Sequence, residues 1–319
     1  MKLAMKSEII MFKSAYLTIF EKGKFESLIN KAFKILEDCT LCPRECRVNR
    51  LQGQLGVCKT GRWPIVSSYG PHFGEEEPLV GSGGSGTIFF TNCNLLCIFC
   101  QNHDISHQGR GEELASEGLA EIMIRLQDQG CHNINFVTPT HVVPMILAAL
   151  PLAIERGLTV PLVYNSSGYD KVESLALLEG VFDIYMPDFK FWDPEPAKKY
   201  MDAPDYPERA REAFREMHRQ VGDLQIDQQG IAQRGLLVRH LVMPQRTANT
   251  RKIMRFIHDE ISPDTYVNIM PQYRPCYNAS LFPELSRPIT VREYEEALRE
   301  ASQEGVTRLD QRVRTFVLH

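Results

Sequence analysis

The stretch TIFFTNCNLLCIFC, Thr87 to Cys100, joins a strand-like run, Thr87–Phe90, to three thiols, Cys93, Cys97 and Cys100. Their Cys-x3-Cys-x2-Cys spacing suits a [4Fe–4S] cube held by three of its irons, because soft thiolates select iron–sulfur clusters. A fourth thiol would close the cube as an electron carrier; three leave one iron open to an outside ligand. The same positions, i, i+4 and i+7, also share one face of a helix, where buried free cysteines occur. The remainder of the chain discriminates between these readings.

From residue 87 onward, strand-like runs alternate with helical patterns. The runs are Thr87–Phe90, Ile134–Val137, Val160–Tyr164, Ile184–Met186, Leu236–Leu241 and Tyr266–Ile269. The spacing between them predicts helices over Glu113–Leu126, Val143–Ile154, Lys171–Leu178, Glu208–Val221 and Thr250–Ile261, with a last one over Val291–Ala301. Such alternation means a parallel sheet with right-handed crossovers. Six units fit a partial (β/α)6 barrel or a doubly wound sheet, and periodicity does not separate the two. Nearly every run ends in polar residues: the cysteine loop, Thr138 to His141, Asn165 to Gly168, Asp188 and Lys190, His240, and Gln272 to Arg274. In both architectures ligands bind at the C-terminal strand ends. One polar loop is an ordinary helix cap; six around a thiol loop point to a site.

Composition is that of a globular protein, 43% hydrophobic and 24% charged, and a net charge of −4 gives no extended nucleic-acid footprint. Nine cysteines, an odd number concentrated in two tight clusters, argue for metal chemistry over a disulfide framework. The apolar run Ile9–Phe12 is too short for a secretory segment. The longest apolar stretch, Val142–Ile154, holds two prolines and falls short of the ~20 residues a spanning helix needs. The expectation is a cytoplasmic protein with no membrane or nucleic-acid partner. Gly81–Gly86 (GSGGSG) matches the dinucleotide fingerprint in letters, but it precedes a strand instead of following one, so a nicotinamide site is not expected.

Within the cysteine loop, Phe99 stands before the last thiol. Cys93, Cys97, Phe99 and Cys100 match the Cys-x3-Cys-x-aromatic-Cys signature position by position, and the chain resembles the radical S-adenosylmethionine (SAM) superfamily. The segments NFVTPTHVVP, VYNSSGYD, DIYMPDFKF, GLLVRHLVMP and VNIMPQYRP are similar to successive strand motifs of its pyruvate formate-lyase activating enzyme branch. The resemblance implies a partial (β/α)6 barrel over residues 65–319. It also implies a SAM chelated at the open iron, cleaved by one electron to methionine and a 5′-deoxyadenosyl radical that abstracts hydrogen from a substrate. Reduced flavodoxin or ferredoxin would supply the electron. The substrate would be a glycyl radical enzyme, another peptide or a small molecule. By the same resemblance Phe99, Pro139, Thr140, Asn165, Ser167, Asp188, Lys190 and His240 would contact SAM; the alternatives are a strand-end salt bridge for Asp188 and Lys190 and a satisfied core histidine at His240. The chain departs from the branch at Thr138–His141, where a Gly-Gly-Glu-like segment is usual. Asn165–Gly168 replaces Asp-Thr-Asn-Gly, and Tyr273 stands where a histidine is common.

Upstream, Cys39, Cys42, Cys46 and Cys58 form a quartet able to close a tetrahedral site. Zinc would make it a structural knuckle and a second iron–sulfur cluster an electron relay; lack of the ferredoxin spacing favours zinc. Residues 1–64 are expected to form a helical segment plus this module. Cys131 and Cys276 are expected to be buried structural thiols. The rival from another class is a non-catalytic iron–sulfur relay or sensor that binds no SAM.

Overall fold

The structure, a computed structural model, describes residues 12–311; Ile9, Ile10 and Met11 of the N-terminal apolar run lie outside them. Two short helices, α1 (Ala15–Glu21) and α2 (Phe25–Ile35), lead into the cysteine-rich loop. Strand β1 (Ile65–His72) then runs antiparallel along β2 (Ser85–Phe90). From β2, further strands add in parallel and in chain order: β3 (Ile134–Val137), β4 (Leu162–Ser166), β5 (Ile184–Pro187), β6 (Ala232–Leu241) and β7 (Tyr266–Met270). Helices α3 (Ser116–Asp128), α4 (Val143–Glu155), α5 (Val172–Ala176), α6 (Pro194–Met201), α7 (Tyr206–Val221), α8 (Thr250–Phe256) and α9 (Val291–Gln303) fill the crossovers and follow the last strand. The neighbour order β2-β3-β4-β5-β6-β7 is sequential, with no reversal as in a doubly wound sheet. The sequential order resolves the architecture as a partial (β/α)6 barrel.

Strand alternation sorts the two faces. Ile88, Phe90, Phe136 and Tyr164 face the helices and belong to the main core. Val163, Ile184, Met186, Leu237 and Tyr266 form a second, inner cluster with Leu79. Leu79 belongs to the connection after β1, which plugs the barrel end opposite the strand C-termini. Asn133 donates from its amide to Leu79 O (2.8 Å), and Asn268 on β7 donates to Glu76 Oε1 (2.7 Å).

Helix α7 shows how the outer layer is held. Ala210, Ala213, Phe214, Met217 and Val221 recur at helical spacing on its buried face, while Arg215 and Arg219 pair outward with Glu260 and Glu216. Truncating fully buried Phe214 to alanine is expected to cost about 3–5 kcal/mol, measurable by urea unfolding.

Strand β1 escapes a reading by pattern. Pro64, Gly70 and Pro71 punctuate it like a loop, and, paired on its outer side only at Ile65 and Val66, it buries little on either face. Helix α6 was also illegible, although Pro194 sits in its first turn, where the missing N–H costs nothing. The GSGGSG stretch packs tightly: a Cβ on Gly83 would lie 1.9 Å from Gly130 O, and its N–H donates to His132 Nε2 (3.0 Å). Residues 12–64 do not stand apart from the barrel. Ser14 Oγ donates to Thr159 O (2.6 Å), Ala15 N–H to Asp183 Oδ1 (2.7 Å) and Tyr16 Oη to Val160 O (2.9 Å). Cys131 is buried as expected, whereas Cys276 is half-exposed.

Candidate active site

After β2 the chain enters an irregular loop. Asn92 (φ 67°) and Leu96 (φ 57°) adopt left-handed backbone, and the break at Leu96 falls between Cys93 and Cys97. The helix-face explanation of the thiol spacing is therefore excluded. Cys93, Cys97 and Cys100 instead edge a cavity of about 380 Å³ at the C-terminal ends of the strands. Burial pushes the thiols of Cys93 and Cys97 above the ordinary value, against the pull of Lys190. Without a metal, burial disfavours ionisation of these two groups; a metal bound to them would drive it. Leu95 N–H already points at Cys93 Sγ (3.3 Å), the kind of donor a cluster-bound thiolate accepts. Three thiols on one cavity wall, with backbone N–H at hand, fit an iron–sulfur cluster.

The rest of the wall is polar. Phe99, Asn165, Ser167, Asp188 and Lys190 all line the same cavity. Lys190 Nζ donates to Asp188 Oδ2 at 2.6 Å. Burial pushes Asp188 up, but Lys190 and Arg239 outweigh it and hold the carboxyl below its ordinary value. Burial pulls Lys190 down, yet Asp188 and the Cys97 thiol hold it above the ordinary lysine value. Tyr206 fixes this segment from behind: its hydroxyl accepts the N–H of Lys190 (2.9 Å) and faces the carbonyls of Ser167 (3.0 Å) and Asp188 (2.9 Å). Gly168, at φ 75°, permits the approach, since a Cβ there would meet Asp188 O at 2.5 Å. Buried Asp170 ties neighbouring strand ends together, accepting from Thr140 (2.7 Å), Tyr164 (2.9 Å) and Ser166 (2.7 Å).

Three expected contacts fall elsewhere. Thr140 is turned into the Asp170 network, and neither it nor Pro139 lines the cavity; Thr138 does, in a strained left-handed conformation (φ 60°). His240 alternates to the outer face of β6. Its Nδ1 meets Phe189 O (2.8 Å) and its Nε2 meets Thr250 Oγ1 (2.9 Å), and burial lowers it to about 4, which keeps it neutral. It is a satisfied core histidine. Tyr273 is likewise buried, donating to Leu285 O (2.8 Å).

Sequence reading missed the barrel floor. Arg239, pointing inward from β6, lies between Glu75 (3.4 Å), Glu76 (3.4 Å) and Asp188 (3.5 Å). His72, 3.5 Å from Glu75, completes the set. Inward register on β6 marks Arg239, but nothing in the local pattern announced that the Glu75–Glu76 segment would plug the barrel.

The four upstream thiols, Cys39, Cys42, Cys46 and Cys58, line a second, smaller cavity. Burial pushes Cys42 up to about 12, with the three neighbouring thiols adding to it. Among the described residues no three metal-binding side chains converge closely enough to grip one ion. The module is fastened to the cluster loop at three points. Arg44, between two of its thiols, donates to the carbonyls of Asn94 (2.9 Å), Leu95 (3.2 Å), Met201 (2.9 Å) and Asp202. Thr60 Oγ1 accepts from Asn92 Nδ2 (3.3 Å). Buried Arg50 donates to His141 O (2.9 Å), and the His141 ring meets Thr91 O (2.9 Å). Arg44→Gln is expected to reduce the iron retained per chain after reconstitution, measured by iron and sulfide analysis, because the Cys93–Cys97 segment loses its anchor.

Residues 87–257 match the family model for the radical SAM superfamily. The chain belongs to the radical SAM superfamily. It is also 33% identical over 282 residues to the uncharacterized protein MJ0674 of Methanocaldococcus jannaschii, spanning 85% of this chain and 76% of that one. Among solved structures, Streptococcus suis SuiB matches with a TM-score of 0.47 at 11% identity, over 69% of this chain and 46% of SuiB. Methylornithine synthase (PylB) matches with a TM-score of 0.46 at 13% identity, over 89% of this chain and 70% of PylB. Membership implies a [4Fe–4S] cluster and SAM as cofactors, a SAM-cleaving radical activity, and electrons drawn, as is general in the superfamily, from flavodoxin or ferredoxin. No helix among the described residues is long and apolar enough to cross a membrane.

Proposed function

We propose that Cys93, Cys97 and Cys100 hold the cluster, and that Phe99, Asn165, Ser167, Asp188 and Lys190 bind SAM beside it. Convergence of these residues on one cavity carries the reading. When bound, a cluster with one open iron supplies the electron that splits SAM into methionine and a 5′-deoxyadenosyl radical. The chain's own part is to orient and to enclose. Lys190 offers a cation, held by Asp188, to an anionic group such as the SAM carboxylate. Asn165 and Ser167 offer hydrogen bonds of the kind a ribose takes, and Phe99 an apolar face for a base. Phe89, Val137, Leu241 and Met270 keep the inner wall apolar, which limits water around a reactive intermediate.

A substrate would lie beyond SAM, against Glu75 and Arg239. Likeness to the pyruvate formate-lyase activating enzymes supports a peptide glycine in a glycyl radical enzyme as that substrate, with a small molecule as the alternative. In the quartet we propose zinc, around which the four thiols lining that cavity would have to close on binding, as a knuckle that braces the cluster loop through Arg44, Thr60 and Arg50. Anaerobic reconstitution, then dithionite and SAM, is expected to yield 5′-deoxyadenosine. An intact cluster with none formed would favour a redox relay and overturn the radical reading. Metal analysis is expected to give about four irons and one zinc per chain; about eight irons without zinc would make the quartet a second cluster.

A further inference from the structure

One hydrogen-bonded chain starts at the last thiol of the cluster loop. Ser106 ends the helical turn His103–Ser106 that follows the last thiol, and it is buried. Its Oγ lies 3.2 Å from Cys100 Sγ and 2.8 Å from His107 Nδ1. In the free thiol any of these atoms can donate. A thiolate bound to iron carries no proton and can only accept. Where Ser106 keeps its contact with that sulfur it is the donor, and its oxygen can accept from His107 Nδ1–H in the tautomer that carries the proton there. The imidazole is itself held: its centroid sits 4.5 Å from that of Tyr277, which also stacks on His103 at 5.4 Å. Asn278 N–H, next in sequence, donates to Ile98 O (3.0 Å) and ties this aromatic stack to the cluster loop.

We propose that Ser106, oriented by His107, donates a hydrogen bond to the cluster-bound Cys100 thiolate and raises the reduction potential of the [4Fe–4S] centre. Both act as positioning and tuning residues, and the proposal rests on the cluster reading of the three thiols. The physical reason is charge. An added electron spreads onto the sulfurs, so a donor at sulfur stabilises the reduced cluster more than the oxidised one. The donor is a neutral hydroxyl on a mostly buried residue at the cavity wall.

The test is a potentiometric titration of the reconstituted protein, following the reduced-cluster signal by electron paramagnetic resonance. Ser106→Ala is expected to lower the reduced-to-oxidised ratio about tenfold at the wild-type midpoint, equivalent to a midpoint about 59 mV more negative for one electron. Ser106→Thr keeps the hydroxyl and is expected to keep the midpoint. His107→Phe keeps a ring against Tyr277 but loses the N–H, and is expected to shift the midpoint in the same direction by less. Should Ser106→Ala fail to hold a cluster, His107→Phe still decides. An unmoved midpoint in Ser106→Ala at full iron content, or an equal shift in the threonine variant, would overturn the proposal while the wild type still cleaves SAM. A wild type that holds no cluster would overturn it together with the reading beneath it.

Discussion

Reconstituted Cys97→Ala protein is expected to release no 5′-deoxyadenosine from SAM under reducing conditions, a loss to background measured by chromatography. The middle thiol is the most deeply placed of the three: it is buried beside Lys190, which lines the same cavity. Two thiols cannot present a cube with a single open iron, because the second vacated corner would take an adventitious ligand. Neither Cys276 nor Ser106 offers a ready substitute. Cys276 is half-exposed in the loop after β7, and Ser106, which faces Cys100, binds iron poorly. The quartet at Cys39, Cys42, Cys46 and Cys58 reaches the cluster loop through Arg44 and Thr60 directly and through Arg50 by way of His141, not through a shared thiol. Its metal is therefore expected to stay at the wild-type amount. Loss of both metals together would show that the two thiol groups form one site.

The expectation of two separate thiol groups comes from the sequence because thiol spacing is a local signal. The fold was legible for a similar reason: β3 to β7 carry apolar runs ended by polar residues, and each parallel strand reads alone. What stayed hidden depends on which way a side chain turns at a strand end. Thr138 and Thr140 are two apart on an irregular loop, and only the left-handed twist at Thr138 decides that it, and not Thr140, meets the cavity. His240 and Arg239 are adjacent on β6. Alternation sends the arginine in and the histidine out, yet a functional histidine is the more familiar guess. Glu75 and Glu76 were beyond reach because a plug is defined by tertiary closure. An isolated acidic run reads as a solvated surface, and only the barrel around it makes it a floor.

The second large effect concerns the Asp188–Lys190 pair. Lys190→Met is expected to lower kcat/KM for SAM cleavage by about a hundredfold or more and to cost about 3 kcal/mol of stability, because it leaves a largely buried carboxylate short of its cation. Arg239 would remain, its Nε at 3.5 Å and shared with Glu76 while its Nη1 pairs with Glu75. In the wild type the folded-state value of Asp188 is depressed, so the pair contributes its full stability above the ordinary carboxylate value. That contribution is lost as pH falls through the depressed value. With Lys190 gone, burial takes over and the carboxyl rises, so the pH dependence is displaced and reversed: the variant is least stable near neutral pH and regains stability as pH falls through the raised value. Urea unfolding of the metal-free variants between pH 4 and pH 8 would detect the displacement. The double variant Asp188→Asn/Lys190→Met removes the stranded charge along with its partner. It is expected to recover much of the stability but none of the activity. Recovery of activity as well would mean that the lysine serves the fold alone and that the SAM carboxylate is held elsewhere.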